Sequence, residues 1–213
     1  MATPKPQIKS TFATPSCIHF LPVANEVNVD LRALATQRFA VATGVKGGEG
    51  WHSDSDLESW GGNAAQTLFR VLRELADAMT ATRAGGRVSV DWKITACATV
   101  RQKGEYGAMA ARPGAFWSGV YFIDDGYNKS DDVALGGEVE LADPRGALPA
   151  MVAPQLAFRI PGGGSAGQTE TIRPSSGMIV LHPSWQPRGE RRYDGEGQRI
   201  TIEFDLMPAP VAE

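Results

Sequence analysis

The sequence predicts an α+β, mainly β chain in which N-terminal helices pack on a double-sheet jelly roll or barrel. Three observations carry this. Helical spacing is confined to the first third of the chain, the hydrophobic period changes to two after residue 87, and Gly, Pro, Asn and Asp clusters then separate seven or eight short strands.

Ile18 to Leu21 suits a short strand, and Asp30 to Phe39 has helical periodicity behind an Asn28/Asp30 start signal. From Ala64 to Met79 the apolar residues Leu68, Val71, Leu72, Leu75 and Met79 fall three and four apart, the spacing of a helix burying one face. Gly85-Gly86 stops it. Val88, Val90, Trp92, Ile94, Ala96, Ala98 and Val100 then alternate with polar or small residues, as on a long half-buried strand. Phe116 to Ile123, Glu138 to Leu141, Leu156 to Ile160, Thr169 to Ile172, Gly177 to Leu181 and Arg199 to Leu206 continue the pattern.

The bulk numbers fit one domain. The chain has 213 residues, 42% hydrophobic and 21% charged, enough to bury a core without disulfides or metals. A single domain over 1–213 is expected, with 1–16 an irregular N-terminal segment. The net charge of −3 comes with both signs mixed along the chain, which argues against nucleic acid and anionic membranes as partners. The mildly basic cluster Arg188, Arg191 and Arg192 reads as a solvated hairpin edge. Cys17 and Cys97 are in no metal-type spacing and read as small buried hydrophobes. Met1 to Ser10 is polar and Pro-containing, unlike a signal peptide, and no apolar run approaches a membrane span; a cytoplasmic protein is the expectation.

Several chemistries are missing from the motif inventory. There is no Gly-x-Ser-x-Gly elbow, no Cys-x-x-Cys and no His-Glu-x-x-His. Pro161 to Gly167 is Gly-rich but lacks the Lys-Ser/Thr pair and following helix of a phosphate loop. The acid pairs Asp124-Asp125 and Asp131-Asp132 read as surface loop rather than as a hard-cation site.

The last strand is the clearest. Ile200, Ile202, Phe204 and Leu206 share one face, and Arg199, Thr201, Glu203 and Asp205 share the other. That polar face looks either into solvent or into a barrel mouth. Turned inward, Arg199 and Thr201 make a clamp for a carboxylate: a two-pronged guanidinium and a hydroxyl donor.

Several segments, taken in order, resemble the 2-oxoglutarate-Fe(II) oxygenases. They are Gly50-Trp51-His52-Ser53 with Asp56-Leu57, Trp92, Ser118-Gly119-Val120-Tyr121-Phe122, Asp143-Pro144-Arg145, Pro174 to Trp185, and Arg199-Ile200-Thr201. The resemblance runs from about Cys17 to Leu206. It implies a double-stranded β-helix holding one ferrous ion, with a His-x-His or His-x-Asp pair before the Ser-Gly-Val-Tyr strand and a distal His after Pro-Ser-Trp. It also implies an Arg for the far carboxylate of 2-oxoglutarate, matched here by Arg199 with Thr201 beside it. His52, Tyr121, His182 and Trp185 are the further pocket residues it suggests.

The chain departs from that pattern at the metal. The ligand positions read Ala110, Arg112 and Arg188, while Pro113 keeps the register. Alanine has no lone pair, and arginine stays protonated and repels a cation. No iron is therefore expected in the family's manner, and two fixed positive charges in its place would suit an anion. His19, His52 and His182 are the only imidazoles; a rebuilt metal set from His52, His182 and Glu105 is the alternative. Three readings of function stay open: a degenerate oxygenase binding a small organic acid, an active iron/2-oxoglutarate dioxygenase with displaced ligands, and a structural subunit whose pocket has filled. An open jelly-roll edge would also admit a homodimer.

Overall fold

The computed structural model describes residues 13–42, 48–146, 152–156 and 168–209. Two sheets of antiparallel strands face each other. The larger has the order β1-β8-β5-β10-β3-β2, built from β1 Cys17–Phe20, β8 Met178–Pro183, β5 Trp117–Asp124, β10 Arg199–Pro208, β3 Trp92–Arg101 and β2 Trp51–His52. The smaller has the order β4-β9-β6-β7, from β4 Gly107–Ala110, β9 Arg188–Glu190, β6 Val139–Leu141 and β7 Glu170–Ile172. Helices α1 Ala24–Val41, α2 Leu57–Trp60 and α3 Gly62–Met79 are the helical elements of the N-terminal third.

Strand alternation decides what goes where. On β10, Ile200, Ile202, Phe204 and Leu206 join Trp92, Ile94, Ala96, Ala98 and Val100 of β3 in a core closed by Leu31 and Ala35 of α1 and Leu68, Phe69 and Leu72 of α3. The opposite face of the same sheet looks across to the small sheet. There Val120, Phe122, Val139, Leu141, Ile172, Met178 and Val180 form a second, smaller apolar cluster. The polar face of β10 points into this space between the sheets, so the choice between solvent and barrel interior falls to the interior: Arg199, Thr201 and Glu203 are all buried.

The boundaries differ where tertiary contacts override local signals. Helix α1 begins at Ala24, ahead of the Asn28/Asp30 signal, with no side-chain cap. Asn28 instead accepts a hydrogen bond from Tyr121 Oη at 2.5 Å, tying the helix to β5. The paired part of β3 begins at Trp92 rather than Val88, because the lead-in is held by α3: Asp77 Oδ1 accepts from Val90 N at 3.0 Å and Trp92 Nε1 at 2.8 Å. The short strands β2, β4 and β9 and helix α2 go beyond the sequence prediction, since runs of two to four residues carry little periodicity. Leu156 lies outside any strand, and 157–160 and the Gly-rich 161–167 fall outside the described residues. Asp124, Asp125 and Asp132 close turns by accepting from Gly126 N, Tyr127 N and Ala134 N. No described helix is long and apolar enough to cross a membrane.

Candidate functional site

The two sheets enclose a cavity of about 170 Å³, lined among others by His52, Arg101, Arg112, His182, Arg188 and Glu203, with Cys97 and Asp205 also in its lining. Register places these groups. Glu203 of β10 lies between Cys97 of β3 and Val120 of β5, and two residues away Thr201 lies between Thr99 and Phe122. Arg188 and Glu190 reach in from β9 of the opposite sheet, and Arg112 follows β4.

The charged side chains form one network. Glu203 receives Arg101 Nη2 at 3.0 Å on Oε1, and Arg112 Nη2 at 2.8 Å and Arg188 Nη2 at 3.1 Å on Oε2. Glu190 receives Arg188 Nη1 at 2.9 Å and Arg101 Nη1 at 3.1 Å, and lies 3.9 Å from Arg199 Nη1. Four guanidiniums thus share two carboxylates, an excess of two positive charges within the network. Burial works against the charge of Glu203, and the Arg188 and Arg101 guanidiniums more than offset it, holding its carboxyl down at about 2. Asp205, the remaining acid on that face of β10, accepts from Ser118 Oγ at 2.5 Å.

His182 is buried at the inner end of β8. Its Nδ1 lies 3.0 Å from the Pro183 carbonyl, an acceptor only, so Nδ1 carries the proton and Nε2 is the acceptor, without a partner among the described residues. Burial first, and the nearby Arg188 charge second, push its pKa down to about 4, so it is neutral near pH 7. Burial also raises the Cys97 thiol to about 11, with the Glu203 charge adding to it, so this cavity thiol stays protonated near pH 7.

The sequence-predicted residues divide. Arg112, Arg188, Ala110, His52 and His182 do line one cavity. His52 is fixed there by Thr99 Oγ1, 3.1 Å from its Nδ1. Tyr121 is not a pocket residue: it faces the helices, and its hydroxyl goes to Asn28. Trp185 is 55% exposed and lies outside the cavity lining. Arg199 and Thr201 are buried and are not among the residues that line the cavity. Arg199 is packed among Phe122, Tyr127 and Tyr193, donates from Nε to Asp125 O at 3.1 Å and from Nη1 to Gly137 O, and keeps Nη2 without a hydrogen-bond partner. The Thr201 hydroxyl is likewise buried and unpartnered. The basic cluster splits: Arg188 points in from β9, whereas Arg191 and Arg192, past the end of that strand, are exposed and pair with Glu140 and Asp194.

The donor set does not fit iron at the family positions. Ala110 offers nothing, and Arg112 and Arg188 bring positive charge held in place by Glu203. Glu105, named with His52 and His182 as an alternative ligand, instead accepts from Gln102 N at 2.6 Å and closes the turn after β3. Among the described residues no group of three or more His, Cys, Asp or Glu is placed to hold a metal ion.

Arg101, Glu190 and Glu203 are the functional residues that the sequence analysis left without a role. The alternation was available for all three: Arg101 shares parity with Cys97 and Thr99, Glu203 with Arg199, and Glu190 with Arg188. What it lacked was the pairing of β9 with β4 and β6, which brings Glu190 under Arg101.

Fold and site together define a double-stranded β-helix protein with a charged pocket between its sheets. The family model described as "Putative 2OG-Fe(II) oxygenase" matches residues 96–205, more than half of the chain, and the chain belongs to that family. Solved structures agree on the fold. A Pseudomonas putida prolyl-4-hydroxylase superposes with TM-score 0.58 at 15% identity, over 92% of this chain and 88% of that one. A Trichoplax adhaerens prolyl hydroxylase, solved with a hypoxia-inducible-factor peptide, gives 0.62 at 10% identity over 91% and 83%. AviO1 from Streptomyces viridochromogenes Tue57 gives 0.59 at 15% over 94% and 93%. No curated protein gives a significant match.

Proposed function

We propose that this chain is a degenerate member of its family: the barrel is kept, iron-dependent oxidation is lost, and a small organic acid is bound. The observation that carries the reading is the substitution of all three ligand positions by Ala110, Arg112 and Arg188, with both arginines clamped on Glu203. A ferrous ion there would need the Arg112 and Arg188 guanidiniums expelled and would leave Glu203 with Arg101 alone, which breaks part of a largely buried ion-pair network at a cost of several kcal/mol, up to about 3–5. The acid half of the reading is supported by the positive excess of the network and by two buried groups without partners, Arg199 Nη2 and Thr201 Oγ1. A carboxylate would satisfy both.

The test is metal analysis of protein purified aerobically and anaerobically, with calorimetry of 2-oxoglutarate and succinate with and without Fe(II). The expected result is iron far below one per chain and acid binding that added Fe(II) leaves unchanged, weakened by Thr201→Val. Near-stoichiometric iron, with 2-oxoglutarate binding that requires it, would sink the reading.

A further inference from the structure

Arg199 of β10 stands directly opposite Arg101 of β3 in the sheet register. Both are almost completely buried, at 1% and 3% exposure. Like charges facing each other across a ladder repel, and burial enlarges the penalty. Glu190 supplies the countercharge from the opposite sheet, with Oε2 3.1 Å from Arg101 Nη1 and 3.9 Å from Arg199 Nη1. Its other oxygen is held by Arg188 at 2.9 Å. Glu190 itself is 3% exposed.

The fit is asymmetric. Glu190 makes hydrogen bonds to Arg101 and Arg188, but at 3.9 Å it only neutralises Arg199 and makes no hydrogen bond to it. Arg199 spends Nε and Nη1 on the carbonyls of Asp125 and Gly137, and Nη2 is left over. Thr201, two residues on and pointing the same way, has no partner for its hydroxyl. The seat therefore has more donors than the carboxylate now beside it can use.

We propose that Glu190 is an internal competitor for the barrel's carboxylate seat: its own carboxylate neutralises the Arg101–Arg188–Arg199 cluster and weakens the binding of free acids there. The inference rests on the reading of Arg199 and Thr201 as a carboxylate site, and it sets the specificity of that site. An incoming acid must displace Glu190, so wild-type binding is weak. With the Glu190 carboxylate removed, the same three arginines accept a small free carboxylate in its place.

The experiment uses the full chain carrying Glu190→Ala, which opens space, and Glu190→Gln, which removes the charge and keeps the volume. Thermal unfolding is followed while sodium acetate replaces sodium chloride at constant ionic strength. Acetate should raise the midpoint of Glu190→Ala in proportion to the logarithm of its concentration above Kd, by about 3 °C or more once that concentration is several times Kd. The wild type and Glu190→Gln should respond far less at the same acetate concentrations. Calorimetry should show Glu190→Ala binding 2-oxoglutarate at least tenfold more tightly than the wild type. An acetate effect no larger than that of chloride, or equal 2-oxoglutarate affinities, would overturn the proposal. If Glu190→Ala unfolds on its own, refolding yield is the readout: acetate-dependent recovery supports the proposal, and equal yields in acetate and chloride refute it. The two failures are separable, because iron found in the wild type would end the functional reading and leave the acetate response of Glu190→Ala to be judged alone.

Discussion

The space between the two sheets is built in two different ways. At one end Val120, Phe122, Val139, Leu141, Ile172, Met178 and Val180 close on one another as a dry apolar cluster. At the other, Arg101, Arg112, Arg188 and Arg199 gather around Glu190 and Glu203. The apolar end is held by non-directional burial, which tolerates changes of shape. The charged end is held by specific pairs, each of which becomes a liability when its partner is removed.

The largest expected effect separates the two ends by isosteric change. Glu203→Gln keeps volume but removes the charge that three arginines share, and should cost about 3–5 kcal/mol. Leu141→Met at the apolar end should cost less than about 1.5 kcal/mol. Urea denaturation measures both. A cost for Glu203→Gln below that of Leu141→Met would erase the distinction between the ends.

Acid should reach the charged end first. His182 titrates near 4 in the folded chain against an ordinary value of 6.5, so between those values the unfolded chain binds the proton and the folded chain does not. Stability contributed by the neutral imidazole is therefore complete above pH 6.5 and lost as pH falls towards 4, a loss of about 3 kcal/mol at most. Glu203, held near 2 against 4.5, adds a second loss as pH falls from 4.5 to 2. His182→Phe should flatten the upper part of the profile of urea midpoint against pH. An unchanged slope between pH 4 and 6.5 in that variant would count against the assignment.

The smallest effect lies just outside the barrel. Arg191 follows β9 and meets Glu140 at 2.6 Å on the exposed side. Arg191→Ala should change stability by less than about 1 kcal/mol, since an exposed pair is screened and costs side-chain entropy to form. Arg188→Ala, three residues earlier and facing inward, should cost several times more in the same urea assay. Equal costs would show that inward placement adds nothing.

Much of the site was legible in strand alternation. The polar face of Arg199, Thr201, Glu203 and Asp205 follows from a period of two and needs no contact to be seen. The placing of Arg112 and Arg188 near one another was an expectation from the order of the motifs, and both line the cavity. Tyr121 and Trp185 were misplaced for a related reason. Alternation says that Tyr121 and Val120 point opposite ways, but it does not say which side carries the helices, and Trp185 lies just past the end of its strand, where alternation no longer applies.

By itself, then, the sequence determined the class of fold and the faces of its long strands. Those depend on residue type and on spacing along the chain. Only the tertiary structure decided that the polar face of β10 turns inward, that Glu203 ties Arg101, Arg112 and Arg188 together, and that Glu190 sits between two opposed arginines. Those partners are up to 102 residues apart in the chain, and a short strand such as β9 acquires its place from the strands that flank it rather than from its own three residues. Charge pairing across sheets is fixed by that register, which no local pattern encodes.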